Sequence, residues 1–279
     1  MKRTCMVFVL LLAAALIASA APSSLQTEVL YTQVRVRTAE AGGSGTVIWS
    51  EKMNGFYSTY IITCHHVIDK AVTLKDKWNP LLQKDIKTET REPVFVEFFN
   101  YKAVPHGKPP LTNGVIADVV AYDPTHDMAL LNVKLAERPA VAALLDAASI
   151  ENVMIGDPVV AIGCALLHDP ILTMGVITHM GDVIESKDYW MSSAQIIFGN
   201  SGGAMFLHKG SAYKFIGIPS RVDVIGWGSP VTHCGYFSPI TRVYEFLQDQ
   251  VFDFIVPGSK RTETECATDR KARREKAKS

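Results

Sequence analysis

The sequence predicts an all-β fold, and three observations predict it. From Glu28 onward the chain is a series of short apolar runs: VRVRT, GTVIW, YIITC, VFVEFF, GVIADVVAY, MALLNV, PVVAIG, GVITHM, QIIF, AMFLH and KFIGI. Many of their residues are β-branched or aromatic, and several runs alternate with the period of two that sends successive side chains to opposite faces. Gly, Pro, Asn or Asp separates most of them, which points to a sandwich or a barrel. With 279 residues, 48% of them hydrophobic, there is apolar material for one large core or two smaller ones.

Taken in order, the chain opens with Lys2 and Arg3, an apolar run from Met6 to Ile17, and the small residues Ala18, Ser19, Ala20 and Ala21. The run is short for a bilayer span and the small residues offer a cleavage point after Ala20, so residues 1–20 read as an export signal. A secreted or periplasmic protein is expected; an uncleaved N-terminal anchor is the alternative. No later apolar stretch reaches the ~20 residues of a membrane helix, so no stable membrane insertion is expected after cleavage.

The polar span from Lys75 to Glu92 and the PHGKPP stretch near Pro105 read as long loops, the first of them a candidate regulator. Residues Ala140 to Ala148 have helical composition but follow Pro139, so a short helix and an extended connector both stand. The last regular element is a helix capped by Ser238, with Pro239 in its first turn and Ile240, Val243, Leu247, Val251 and Phe254 along one face. Beyond Pro257, eight basic residues against four acidic ones read as a charged, disordered tail, residues 258–279.

The formal net charge is zero, and the basic tail leaves the body mildly acidic, which argues against a nucleic-acid partner. Loss of Cys5 with the signal would leave Cys64, Cys164, Cys234 and Cys266. Four cysteines allow three full pairings and the spacing selects none. No Cys-x-x-Cys pair is present, which excludes a zinc ribbon.

The chemistry concentrates in three places. FGNSGGAMF, Phe198 to Phe206, sets Ser201 among glycines; YIITCHHVI ends an apolar strand on His65 and His66; DPTHDMALLNV puts Asp127 between a polar turn and an apolar strand. A serine hydroxyl is a poor nucleophile until a base removes its proton, so a histidine and a carboxylate are what Ser201 would require. Singly, each has an ordinary structural reading as a strand end, a turn or a tight bend.

Together, and in this order, they resemble the trypsin-like serine endopeptidases of HtrA (Deg) type. The matching blocks are Thr63-Cys64-His65-His66-Val67, Asp127-Met128-Ala129-Leu130-Leu131 and Gly199-Asn200-Ser201-Gly202-Gly203. GSGTVI, GDPVVAIG, LTMGVIT, FIGIPS and GYFSPITRV are similar to further family strands, so the resemblance spans roughly Val34 to Phe254.

It implies two antiparallel six-stranded β-barrels, residues 29–139 and 150–257, the second carrying the closing helix. The active site would lie between them, as sites often do at such junctions. Ser201 would be the nucleophile, His66 the general base (with His65 the runner-up), and Asp127 the group orienting the imidazole. The N–H groups of Gly199 and Ser201 would form the oxyanion hole. Gln195 and Ile196 would shape an uncharged pocket for small or medium aliphatic residues, with Phe198 either lining it too or belonging to the core. Ser220, Arg221 and Val222 would pair with the backbone of an extended or unfolded protein substrate.

No cofactor is implied, and an oligomer is compatible with the resemblance. The sequence departs from the family at Cys64, where relatives usually have Asn, at Ala204, where Pro is frequent, and at Phe198, where Pro precedes the nucleophile block. The residues after the last helix are too few for the PDZ domain that many HtrA proteins carry. Two other classes compete: a protease-shaped protein that binds polypeptides without cutting them, and a metal site drawn from Cys64, His65, His66, Cys164, His168, His233 and Cys234.

Overall fold

The computed structural model describes residues 23–80, 83–104 and 107–276, so the expected export signal lies outside the described residues and the PHGKPP loop partly so. In chain order, β1 (Gln33–Arg37), β2 (Gly42–Met53) and β3 (Phe56–Thr63) lead to one helical turn, α1 (His65–Ile68). A hairpin of β4 (Val72–Asn79) and β5 (Lys84–Arg91) follows, then β6 (Val94–Asn100), β7 (Leu111–Asp123) and β8 (Met128–Leu135). Without the hairpin these strands close into a barrel in the order β1-β2-β3-β8-β7-β6, with Val34 opposite Phe98 at the closure.

The second half supplies β9 (Pro158–Gly163), β10 (Ile171–Ile184), β11 (Lys187–Ser192), β12 (Ala204–Lys209), β13 (Ala212–Ile225) and β14 (Ser229–Pro239). They form a second closed barrel, ordered β10-β11-β14-β13-β12-β9 and antiparallel at every pairing. The two-barrel architecture is the one the resemblance implies. Closure pairs each of these strands on both sides over at least part of its length, which suits a chain so rich in β-branched residues.

Several local expectations fail, each for a physical reason. QIIF is no strand: Ile196 donates its N–H to the Thr232 carbonyl and Ile197 donates to Asn200 Oδ1, so its apolar residues form a loop wall. The Lys75 to Glu92 span is the β4–β5 hairpin, in register from Val72 opposite Arg91 to Asn79 opposite Lys84, with Leu74 and Trp78 exposed. Its many charged and Thr residues fit a ribbon solvated on both faces.

Residues 140–146 resolve as the extended connector, and 3-10 helix follows at Ala147–Asn152. Ala142 donates to the Val47 carbonyl of the first barrel, while Leu145 and Phe215 tie the connector to the second. Tertiary hydrogen bonds to both barrels override the helical composition.

The closing helix, α2 (Ile240–Asp249), buries Ile240, Val243, Tyr244, Phe246 and Leu247, but Ser238 does not cap it. Ser238 is still strand, opposite Ile218, and Pro239 occupies the cap position. Val251 at φ 60° lies beyond the helix end, and the following residues return to the first barrel. There the rings of Phe252 and Phe254 meet Tyr60 and Trp49 edge-on, with centroids 5.1 to 5.6 Å apart.

The terminus expected to be disordered is instead a third helix, α3 (Glu263–Lys276), packed on this aromatic cluster. Thr262 and Glu265 cap it reciprocally: the Thr262 N–H donates to Glu265 Oε2 (2.7 Å) and the Glu265 N–H to Thr262 Oγ1 (3.3 Å). Tyr60 Oη donates to Glu263 (2.7 Å), Cys266 is buried, and the Arg270 guanidinium sits 3.9 Å from the Phe252 ring centre while bonding the Val251 carbonyl.

Charge composition had suggested solvation, but long basic side chains can lie their stems on aromatic surface. Phe252→Ala is therefore expected to cost about 3 to 5 kcal/mol, and Arg270→Ala about 1 to 2 kcal/mol, in urea unfolding. Losses below about 0.5 kcal/mol for Arg270→Ala would show that the helix rests on the barrel without stabilising it.

Candidate active site

The two barrels meet along a seam that begins at Ser44, a fully buried residue of β2. Ser44 donates its N–H to the Ser201 carbonyl (2.8 Å) and its hydroxyl to the Gly199 carbonyl (2.6 Å). The same hydroxyl accepts the Cys164 N–H (2.6 Å), and the Ser44 carbonyl accepts the Thr63 hydroxyl (2.7 Å). One serine thus joins β2, the end of β3, the turn after β9 and the loop carrying Ser201.

That loop is a rigid cage. Gly199 stands at φ 94°, and a Cβ there would come within 2.6 Å of the Cys164 carbonyl. Gly202, at φ 84°, would meet the Ser44 carbonyl at 2.2 Å. Both positions combine a left-handed backbone with no room for a side chain, so glycine is required. The Phe198 carbonyl accepts the Leu166 N–H (2.7 Å), and a trans peptide turns the Gly199 N–H the opposite way. Among the described residues no acceptor takes the N–H of Gly199 or of Ser201, leaving a pair of donors available beside the Ser201 side chain.

His66 lies in the helical turn α1, so helical geometry, not strand alternation, separates it from His65. His65 stacks on Tyr122 at 5.5 Å, outside the cavity, and burial lowers its ring below the ordinary histidine value against the opposing pull of Asp127 and Asp69. The His66 ring Nδ1 lies 3.0 and 2.8 Å from the two Asp127 oxygens, and its backbone N–H donates to Oδ1 at 2.9 Å. A carboxylate only accepts, so Nδ1 carries a proton, and the neutral ring's lone pair is then on Nε2.

Asp127 sits at φ 55° in the turn before β8, a conformation that Asp tolerates better than most residues. It also accepts the Ser220 hydroxyl at 2.8 Å from the second barrel. Burial works to raise its carboxyl, but the donors from His66 and Ser220 outweigh that and hold it below the usual carboxylate range.

His66 and Ser201 line one cavity of about 240 Å³ together with Ile196, Ile197, Phe198, Ser220, Arg221 and Val222. Among the described residues, no hydrogen bond joins the Ser201 hydroxyl to the His66 ring, though both line this cavity. Ile196 is buried and forms the pocket floor against Gly235; Phe198 is about half exposed at the rim, not core. Gln195 is the exception among the expected pocket residues: it is exposed, its carbonyl is held by Thr173 (2.8 Å), and it does not line the cavity.

Among the described residues, the group of three possible metal ligands is Cys64, His66 and Asp127, their ligand atoms lying within 4.8 Å of one another. His66 Nδ1 is already committed to Asp127. Burial, reinforced by the Asp127 charge, pushes the Cys64 thiol well up, so the thiolate a metal would need is disfavoured. All four cysteines of residues 23–276 are free thiols.

Sequence reasoning missed two residues here. Ser44 carried no periodic or catalytic signal beyond its flanking glycines. Ser220 was expected to use only its backbone, and a bulge between Pro219 and Arg221 turns its hydroxyl onto Asp127. A larger cavity of about 640 Å³, lined by Tyr31, Tyr101 and Arg138 among others, holds none of the site residues.

Comparison with known proteins follows the same geometry. Residues 43–218 match the family model of a trypsin-like peptidase domain. Among solved structures the chain is similar to the HtrA-type protease AlgW with a tripeptide, at 19% identity and a TM-score of 0.60, covering 84% of this chain and 64% of that one. AlgW with a decapeptide gives 17% identity and a TM-score of 0.58, covering 82% and 66%. The serine endoprotease from Yersinia pestis gives 20% and 0.55, covering 84% and 69%. The chain thus spans just under two thirds of the AlgW chains, and at these identities the likeness is one of fold. No curated protein matches the chain.

Ser44→Ala would strand the Gly199 carbonyl and the Cys164 N–H in a dry seam, and is expected to destabilise the fold by about 1 to 3 kcal/mol in denaturant titration. A cost near zero would mean the seam is solvated. The lowered Asp127 carboxyl makes a second expectation. Its contribution to stability is fully present above its ordinary value of 3.8 and is lost as pH falls through the lower folded value. Wild type should therefore lose its stability advantage over Asp127→Asn as urea midpoints are measured downward from about pH 5. A constant gap across that window would contradict the assignment.

Proposed function

The chain belongs to the trypsin-like peptidase domain family, and from that premise we propose that it is a serine endopeptidase cutting extended protein segments through an acyl-enzyme. The observation that carries the reading is the His66–Asp127 pair, whose geometry leaves Nε2 as a free base on the wall shared with Ser201.

On this reading His66 Nε2 takes the Ser201 proton as Oγ adds to the scissile carbonyl. Asp127 stabilises the imidazolium, and the carbonyl oxygen's new charge is met by the N–H groups of Gly199 and Ser201. The proton then passes to the leaving amine as the C–N bond breaks. Water, deprotonated by the same ring, releases the acyl group and restores Ser201.

Ile196, Ile197, Phe198 and Val222 favour an aliphatic side chain next to the scissile bond, and the Ser220–Val222 edge supports main-chain pairing with substrate. The tripeptide and decapeptide held by AlgW support a peptide ligand for this fold. Among residues 23–276 no helix is long and apolar enough to cross a membrane. The basic, apolar and small-residue order of residues 1–20 supports action outside the cytoplasm.

A fluorophosphonate probe applied to the purified protein is expected to label Ser201, and Ser201→Ala to abolish labelling and lower peptide cleavage by ~10⁶. Asp127→Asn should lower kcat by about 10⁴ with the fold intact, because the ring loses the partner that sets its tautomer. A folded protein that binds peptides but resists the probe would be a polypeptide-binding scaffold instead.

A further inference from the structure

Beyond Gly217, where β12 stops pairing, β13 has β14 on one side and no strand on the other among the described residues. The Pro219 carbonyl is taken by the Gly202 N–H, so the nucleophile loop closes that edge just before Ser220. From Arg221 to Ile225 the edge continues away from the cavity to a glycine turn, Gly226 and Gly228 both at positive φ, which displays Trp227. The tip is strongly apolar: Val224 is 53% exposed, Ile225 65% and Trp227 fully exposed. A folded chain gains nothing by holding three such side chains in water, and clustered exposed apolar surface marks a contact.

We propose that this tip is a second substrate contact, which takes an apolar segment of the polypeptide several residues upstream of the scissile bond. The inference rests on the peptidase reading of the cavity. Every pairing in the second barrel is antiparallel, and a substrate strand added to the free edge in the same sense runs from the tip toward Ser201. Its N-terminal side then lies over Val224, Ile225 and Trp227, about four to eight residues before the cleaved bond at ~3.3 Å per residue.

Continuity with the cavity wall at Ser220, Arg221 and Val222 identifies the occupant as the substrate. The charged neighbours agree. Asp223 bonds Tyr236, and Glu185 of the adjoining β10–β11 hairpin pairs with Arg221 at 3.4 Å, in place of the cluster of cations that an anionic bilayer would draw.

The test uses three peptides sharing one cleavage sequence: one beginning near the cleaved bond, one extended upstream with Leu and Phe, one extended with Ser and Gln. Binding is measured by fluorescence anisotropy on the full chain carrying Ser201→Ala, and cleavage on the wild type. The apolar extension is expected to tighten binding roughly tenfold to a hundredfold over the polar one. Adding Trp227→Ala should erase that gap while leaving the short peptide unchanged. Equal binding of the two extended peptides, or an equal loss for all three on Trp227→Ala, overturns the proposal. So does a change in sedimenting mass or in vesicle binding with the peptide preference intact, which would make the tip a self-association or membrane contact. Absence of cleavage and of probe labelling at Ser201 would sink the hydrolase reading alone, since the binding comparison needs no turnover.

Discussion

The rest of the site depends on the buried hydrogen bonds of Ser44. Two barrels packed only through apolar side chains could slide by fractions of an ångström at little cost, because dispersion contacts are weak individually and have no direction. Ser44 adds direction. Its N–H and hydroxyl grip the Ser201 and Gly199 carbonyls, and its own carbonyl is held by Thr63, one residue before the chain turns toward His65 and His66. With Ser44 and Cys164 fully buried, each such bond is costly to leave unmade, so the relative position of His66 and the Ser201 loop is held by several bonds that must break together.

Asp127 is the electrostatic counterpart of that seam. A buried carboxylate is expensive unless donors surround it, and here the donors come from both barrels: His66 from the first and Ser220 from the second. The arrangement that keeps the charge tolerable is the same one that fixes the tautomer of His66. Satisfying the carboxylate and orienting the His66 ring are therefore a single arrangement. The left-handed backbone of Asp127 is what brings its side chain into that position from a turn on the first barrel.

Around this centre the chain crosses between barrels more than once, and each crossing resists their separation. The connector bonds both Val47 and Phe215. After α2 the chain returns from the second barrel to set Phe252 and Phe254 edge-on against Tyr60 and Trp49, and α3 covers that cluster with the Arg270 guanidinium. On this tied body, the β13–β14 tip leaves Val224, Ile225 and Trp227 uncovered on an edge that leads directly to the cavity.

Much of this was legible in the amino-acid order. Alternating β-branched runs and their turn residues determined an all-β chain, since side-chain period and turn chemistry are local properties. The three blocks around His66, Asp127 and Ser201 named the residues that the folded chain brings to one cleft. The Thr262-x-x-Glu265 capping signal was also present, though the tail's charge masked it. Tertiary structure alone decided the rest. QIIF became a loop because Asn200 and Thr232 claimed its backbone, residues 140–146 stayed extended because both barrels offered partners, and Ser44 and Ser220 acquired roles from neighbours more than 90 residues away. A hydrogen-bond partner that distant leaves no trace in a local pattern, because its position is set only when the barrels close.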